Sequence, residues 1–141
     1  MKFSAMEKEK WPELKPFVDT CLLPVSGLTG FEPPWQATER LRKLQQLIDA
    51  VEIPFKGRVM IYPALHYLPE GGNTTEYIDH ICKNLKQEQF RFIIVAAVDI
   101  EPATLPASAD LTFLWVKDKP QISQGEIGDA IKSLWANGQD A

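Results

Sequence analysis

A nearly unbroken apolar run, FRFIIVAAV at residues 90–98, most constrains what this chain can fold into. Its length and its β-branched residues are typical of a strand. Because successive side chains point to opposite faces of a sheet, an apolar residue at every position requires burial on both faces. Such strands occur almost only in parallel sheets that helices cover on two sides. The run therefore predicts an α/β fold.

Three other runs have the length and composition of strands: FVDTCLLPV (17–25), RVMIYP (58–63) and LTFLWV (111–116). Amphipathic segments alternate with them, as expected for right-handed crossovers. We predict a three-layer α/β sandwich, flavodoxin-like or Rossmann-like, with a mainly parallel four-stranded sheet in the order 2-1-3-4. The connection IEPATLPASAD (100–110) is short for a parallel crossover, so an antiparallel fourth strand is an open alternative.

Three helices each show one apolar stripe at the helical period. The first is predicted over Ala37–Val51 and the second over Thr74–Glu88. The third begins at a capping box formed by Ser123 and Glu126, and it stops at Asn137-Gly138.

Composition and charge exclude several classes of protein. The 141 residues, 45% of them hydrophobic, can bury one core, and we assign 1–16 to a charged N-terminal leader and 17–141 to one α/β domain. A net charge of -4 without a basic block argues against nucleic acid as a partner. The N-terminus lacks an apolar signal core, and no run approaches the roughly 20 apolar residues of a membrane span. We expect a cytoplasmic protein without membrane insertion.

The sequence predicts neither a metal nor a cofactor. Cys21 and Cys82 form no CxxC or Cys/His cluster, which is typical of buried thiols in a reducing compartment. HExxH and EF-hand patterns are absent. The oligomeric state is left open.

The stretch LLPVSGLTG (22–30) suggests a binding crevice, although it lacks the lysine of a Walker loop. In open parallel sheets ligands bind beyond the carboxyl ends of the strands, here between the first and third predicted strands. Hydroxyls facing carboxylates there favour a sugar or nucleoside over free phosphate. The alternatives are that the LLPVSGLTG stretch forms only a structural turn, and that Asp99 and Glu101 only end a strand in solvent. The predicted ligand-binding residues are Ser26, Gly27, Thr29, Asp99 and Glu101.

Catalysis would require a further group. Asp99 and Glu101 are candidate nucleophiles or bases, and His66 is a candidate acid or base, since histidine titrates near neutral pH. No GxSxG motif accompanies His66, which favours a packing or surface role for this histidine over a catalytic one. Trp35 and Tyr67 are the predicted partner contacts.

Four segments together resemble the YpiF-like family of small proteins from Bacillus-type bacteria: FVDTCLLPV, FKGRVMIYPALHYLP, FRFIIVAAV and LTFLWV. The resemblance extends over most of residues 17–116. It implies no established activity, so it gives no residue a catalytic role. The association of that family with genes for a menaquinol–cytochrome c reductase implies a cytosolic accessory or regulatory role near respiration.

Three functions are open at this point. The lack of a complete catalytic set favours a non-enzymatic cytosolic binding or accessory protein that contacts a protein partner or a small ligand. A small enzyme acting on a hydroxylated substrate, such as a nucleoside or sugar, would need Asp99, Glu101 and His66 to converge. A structural or oligomer-forming domain would expose apolar residues on the fourth strand.

Overall fold

The computed structural model describes residues 1–68, 73–106, 108–116 and 122–138. Within these ranges the strands are β1 (Thr20–Leu28), β2 (Val59–Ile61), β3 (Leu65–Tyr67), β4 (Phe92–Val98) and β5 (Leu111–Trp115). The helices are α1 (Trp11–Leu14), α2 (Pro34–Glu52), α3 (Thr74–Glu88) and α4 (Gln124–Gly138).

The sheet has the order β2-β1-β4-β5, with β3 paired to the later part of β1, and all of these pairs are parallel. Since the four predicted strands correspond to β1, β2, β4 and β5, the predicted order 2-1-3-4 is confirmed. The antiparallel alternative for the last strand is wrong. Among residues 99–106 and 108–110, the parallel crossover contains one short 3-10 turn, Pro102–Thr104, and no α-helix.

Alternate residues of the central strands enter two separate cores, as the three-layer prediction requires. On β1, Leu22 faces the core covered by α2 and α4, while Leu23 faces the core covered by α3. Every residue of β4 is buried, with Ile94 and Val95 on opposite faces. Burial on both faces explains why this run is apolar throughout.

The bounds of β1 differ from the prediction of 17–25. The strand begins at Thr20 and continues through Ser26 and Gly27 to Leu28, so these residues do not form a loop. The reason is β3, which the sequence analysis missed and which pairs Leu65 with Val25 and Tyr67 with Leu28. Between these pairs the register shifts, and Gly27 takes a φ of +66°. His66 consequently lies on a strand.

Helix α2 begins at Pro34, three residues before the predicted start at Ala37. Proline fits the first turn because its missing N–H would have no partner there. The bounds of α3 agree with the prediction, and α4 begins where the capping box indicates. The N–H of Glu126 donates to Ser123 Oγ at 3.2 Å.

The predicted leader, residues 1–16, packs against the face of the sheet that α3 covers. Trp11 in α1 contacts Phe90 with ring centroids 5.8 Å apart, and its Nε1 donates to Gln89 Oε1 at 3.2 Å. Phe3 lies 6.2 Å from Tyr62. These contacts give α1 a packed position despite its four residues.

Cys21 and Cys82 are free and buried in this same core, as the sequence analysis expected. Burial raises the pKa of Cys82 to about 11. Burial also raises the pKa of Cys21. Both thiols are therefore protonated at neutral pH.

A polar network ties the amino ends of the strands together. Asp19 precedes β1 and receives two hydrogen bonds from the Arg58 guanidinium, at 2.8 and 3.1 Å. The guanidinium carbon lies 4.0 Å from the ring centroid of Trp135, whose Nε1 donates to Thr20 Oγ1 at 2.9 Å. This network joins α4 to the amino ends of the strands, at the end of the sheet opposite the predicted crevice.

Candidate functional site

The carboxyl ends of β1 and β4 lie side by side, where the strand order predicts a crevice. A Cβ on Gly27 would come 2.7 Å from Ile100 Cγ1 and 3.7 Å from the Val98 carbonyl oxygen, so the chain segments leaving the two strands are in contact. Asp99 is the first residue after β4, and its N–H donates to the Trp115 carbonyl at 2.9 Å. The φ of Asp99 is +54°, in the left-handed region that costs most residues free energy.

Two cations of α2 face the Asp99 carboxylate. Arg40 Nε lies 3.9 Å and Lys43 Nζ lies 4.0 Å from Asp99 Oδ2. Both distances are ion-pair distances and too long for good hydrogen bonds. Asp99 Oδ1 is buried and has no hydrogen-bond partner within the part of the chain that the structure describes. The Asp99 carboxylate is therefore ion-paired with two cations but incompletely hydrogen-bonded.

Sequence reasoning missed Arg40 and Lys43. Arg40 lies four residues before Leu44 and seven before Leu47, so it continues the buried stripe of α2 toward the carboxyl ends of the strands. A basic residue at such a position is the signal that could have identified it. Arg40 Nη1 also donates to the Gly27 carbonyl oxygen at 2.9 Å, which connects α2 to the end of β1.

A cavity of about 300 Å³ opens beside this carboxylate. Two of the five predicted ligand-binding residues, Asp99 and Glu101, line it, and Gly27 adjoins it through its contact with Ile100. Ser26 instead hydrogen-bonds to His66, and Thr29 hydrogen-bonds to Glu32. The lining comprises Arg40, Asp99, Ile100, Glu101, Pro102 and Val116.

Ser26 and His66 form a pair on the outer side of β1. Ser26 Oγ lies 3.0 Å from His66 Nδ1 and donates to the His66 carbonyl oxygen at 3.1 Å. The Ser26 side chain is 0% exposed, whereas His66 is exposed. Because β1 lies between β3 and β4, the structure places His66 with Ser26 and on the other side of β1 from Asp99 and Glu101.

Thr29 belongs to a turn held by one carboxylate. Glu32 accepts hydrogen bonds from the Thr29 N–H at 2.7 Å, from Thr29 Oγ1 at 2.9 Å and from the Gly30 N–H at 3.1 Å. The hydrogen bond from the Thr29 backbone is the main reason that the pKa of Glu32 falls from about 4.5 to about 2. Arg40 Nη1 lies 3.6 Å from Glu32 Oε1, so this turn and the Asp99 carboxylate share one cation.

We call the turn that the Glu32 carboxylate holds the Glu32 turn. It is expected to make the stability of the protein depend on pH in the acid range. Since folding lowers the pKa of Glu32, its stabilising effect is complete above about pH 4.5 and is lost as the pH falls toward 2. We expect Glu32→Gln to lower Tm at pH 7 and to reduce the fall in Tm between pH 4.5 and 2.5. Scanning calorimetry across this range measures both effects. The control is Glu39→Gln, an exposed carboxyl on α2, and a parallel pH profile for Glu32→Gln and wild type would contradict the prediction.

Exposed aromatic side chains surround the end of β1. Phe31 is 85% exposed, and Trp35 and Tyr67 are each 69% exposed. Tyr67 is the register partner of Leu28, and the other two follow Leu28 within seven residues, so all three belong to one end of the sheet. We call Phe31, Trp35 and Tyr67 the aromatic rim. It contains both predicted partner contacts and adds Phe31.

The described residues contain neither a cluster of metal-ligating side chains nor a membrane-spanning helix. Among residues 1–68, 73–106, 108–116 and 122–138, no group of three or more His, Cys, Asp or Glu side chains could hold a metal ion. In the same ranges no helix combines the length and apolarity that crossing a membrane requires.

The fold and the crevice define an α/β protein with a parallel sheet whose central strands end at a charged cavity. A family model described as "Protein of unknown function (DUF2487)" matches residues 9–134. The chain belongs to this family. No curated protein and no solved structure matches it. The family match agrees with the expectation of a small family without an established activity.

Proposed function

We propose that the protein is a non-enzymatic cytosolic binding protein that docks a partner protein on its aromatic rim. The observation that supports this most directly is the exposure of three aromatic side chains at one end of the sheet. Tryptophan and tyrosine are enriched among the residues that dominate binding energy at protein interfaces. The rim has one of each, and with Phe31 it exposes three aromatic rings at one site, which favours a surface that a partner covers.

The Glu32 turn strengthens the proposal because it orders the backbone that carries Phe31. The hydrogen bonds from Thr29 and Gly30 to the Glu32 carboxylate fix the residues just before the most exposed ring. An ordered anchor loses less conformational entropy on association than a mobile one. The rim therefore has the properties of a preorganised docking surface.

The resemblance to the YpiF-like family indicates where to look for the partner. That family's association with genes for a menaquinol–cytochrome c reductase favours a partner with a cytosolic surface in the respiratory chain. The accessory role that we propose consists of binding such a protein.

The two other hypotheses have less support from the geometry. An enzyme would need His66 to act with Asp99 and Glu101. However, β1 lies between β3, which carries His66, and β4, which Asp99 and Glu101 follow. Ser26 lies beside His66, yet it is completely buried and out of reach of a substrate. An oligomer-forming domain would expose apolar side chains on β5, and the side chains of Leu111–Trp115 are buried or half-buried.

The test compares capture by two surface variants. We expect Phe31→Ala/Trp35→Ala/Tyr67→Ala to lose at least 90% of a protein that wild type captures from a host lysate, while Phe17→Ala/Ile53→Ala retains it. Phe17 and Ile53 are 69% and 62% exposed at the opposite end of the sheet, which makes them matched controls.

The captured protein is then purified and its Kd for each variant measured by calorimetry. A loss of affinity of at least tenfold in the rim variant alone supports the proposal. Equal affinity of the two variants, or loss only in the Phe17/Ile53 variant, would overturn it. Because all five side chains are largely exposed, both variants should keep the wild-type circular dichroism spectrum.

A further inference from the structure

The cavity beside Asp99 has features that the docking of a protein on the aromatic rim does not use. It lies at the carboxyl end of β4, next to β1, where ligands bind in open parallel sheets. Its volume of about 300 Å³ is at the lower end for small-molecule sites, which suits a ligand of monosaccharide size. Its polar lining comes from Arg40, Asp99 and Glu101.

Asp99 combines two costly features. Its φ of +54° is uncommon outside glycine, although Asp and Asn adopt it more readily than other residues, and its Oδ1 is buried without a hydrogen-bond partner among the described residues. Strained backbone and unpaired buried polar atoms in native proteins concentrate at functional sites. These two features mark Asp99 as the cavity residue most suited to a functional role. Because Oδ1 is buried, a ligand would reach Asp99 through Oδ2.

The spacing of the charges specifies the kind of group that fits. Arg40 Nε and Lys43 Nζ are 3.9 and 4.0 Å from Asp99 Oδ2, so neither cation makes a direct hydrogen bond of good length to that oxygen. A hydroxyl group both donates and accepts, so it can donate to the carboxylate while it accepts from a cation. A hydroxyl in the cavity could therefore bridge Asp99 to Arg40, since both residues line it, and the second hydroxyl of a diol could donate to Glu101.

Charged ligand groups fit this site less well. A phosphate would face the carboxylates of Asp99 and Glu101, and an ammonium would face Arg40 and Lys43. A neutral hydroxyl group avoids both repulsions while it keeps the hydrogen bonds, which charged partners make strong.

We propose that this cavity binds a neutral vicinal diol, of the kind found in a sugar or in the ribose of a nucleoside, with Asp99 and Glu101 accepting from its hydroxyls and Arg40 donating to them. The inference does not depend on the docking of a partner protein. It concerns binding only, and no bond is made or broken.

The test titrates D-ribose and adenosine into the ¹⁵N-labelled protein, with 2′-deoxyadenosine and ribose 5-phosphate as the matched compounds that lack the diol or add a charge. We expect saturable shifts of the Asp99 and Gly27 amide signals with at least one of the two diols, and at least tenfold weaker binding of the matched compounds. If ribose alone or adenosine alone binds, the result identifies which source of the diol the site accepts.

Asp99→Asn is the decisive variant because asparagine tolerates positive φ and has the same shape, so it should fold. We expect it to weaken diol binding at least tenfold, while Asp49→Asn on the exposed face of α2 leaves it unchanged. Absence of shifts both with 50 mM ribose and with adenosine at its solubility limit would overturn the proposal, as would equal binding of ribose and ribose 5-phosphate or unchanged affinity in Asp99→Asn. The aromatic rim variant should still bind the diol, which separates this result from the docking test.

Discussion

Replacing Gly27 with alanine is expected to lower the free energy of unfolding by about 2–4 kcal/mol. Two effects act together at this position. The φ of +66° is costly for any residue with a Cβ, and the added Cβ would lie 2.7 Å from Ile100 Cγ1, well inside van der Waals contact. Because the contact joins β1 to the segment after β4, the strain would fall on the crevice itself. Urea unfolding measures the loss.

The control for this prediction is Gly57→Ala. Gly57 has no positive φ and no atom within 4 Å of an added Cβ, so the change should be within about 0.5 kcal/mol of wild type. A double-mutant cycle with Ile100→Ala separates the clash from the backbone strain, since removal of Cγ1 relieves only the clash. Gly27→Ala with wild-type stability would show that the approach of β1 to Ile100 is looser than described.

Replacing Asp110 with alanine is expected to cost about 2–3 kcal/mol. Asp110 Oδ2 accepts from the N–H of Ile93, a fully buried residue of β4, at 2.8 Å, and Oδ1 accepts from Lys86 Nζ at 2.9 Å. The truncation leaves the Ile93 N–H without its acceptor inside the sheet and removes the partner of Lys86. It also loosens the entry to β5, since the Asp110 N–H donates to the Ile93 carbonyl at 2.8 Å.

Asp49→Ala is the matched control for the Asp110 variant. Asp49 also accepts a side-chain hydrogen bond, from Gln45 at 2.9 Å, but that bond lies on the exposed face of α2. Its loss should change the free energy of unfolding by less than about 0.5 kcal/mol. Equal effects of the two substitutions in thermal and urea unfolding would show that the Ile93 N–H finds another partner.

The general architecture could be predicted because it depends on local patterns. The unbroken apolarity of Phe92–Val98 indicates burial on both faces, and the alternation of strands with amphipathic helices leaves few parallel arrangements. The capping pair Ser123 and Glu126 identified the start of α4 because a cap depends on residues three apart.

What could not be predicted depends on contacts distant in sequence. β3 has only three residues, and its pairing with β1 extended that strand through Ser26 and Gly27. The approach of Arg40 and Lys43 to Asp99 joins residues more than 50 positions apart, and it became visible only when α2 was placed over the ends of β1 and β4. The sequence analysis therefore named Asp99 and Glu101 but neither of the two cations that lie beside Asp99.

The division of one outer edge between β2 and β3 has a consequence for solubility. Each of these strands has three residues, and Lys2 pairs with Ile61, the last residue of β2, so the backbone on this side is interrupted and partly covered. Long, flat, uninterrupted edges are the templates on which sheets of different molecules join. The two shortest described strands, β2 and β3, therefore lie at an edge where aggregation through the sheet would otherwise begin.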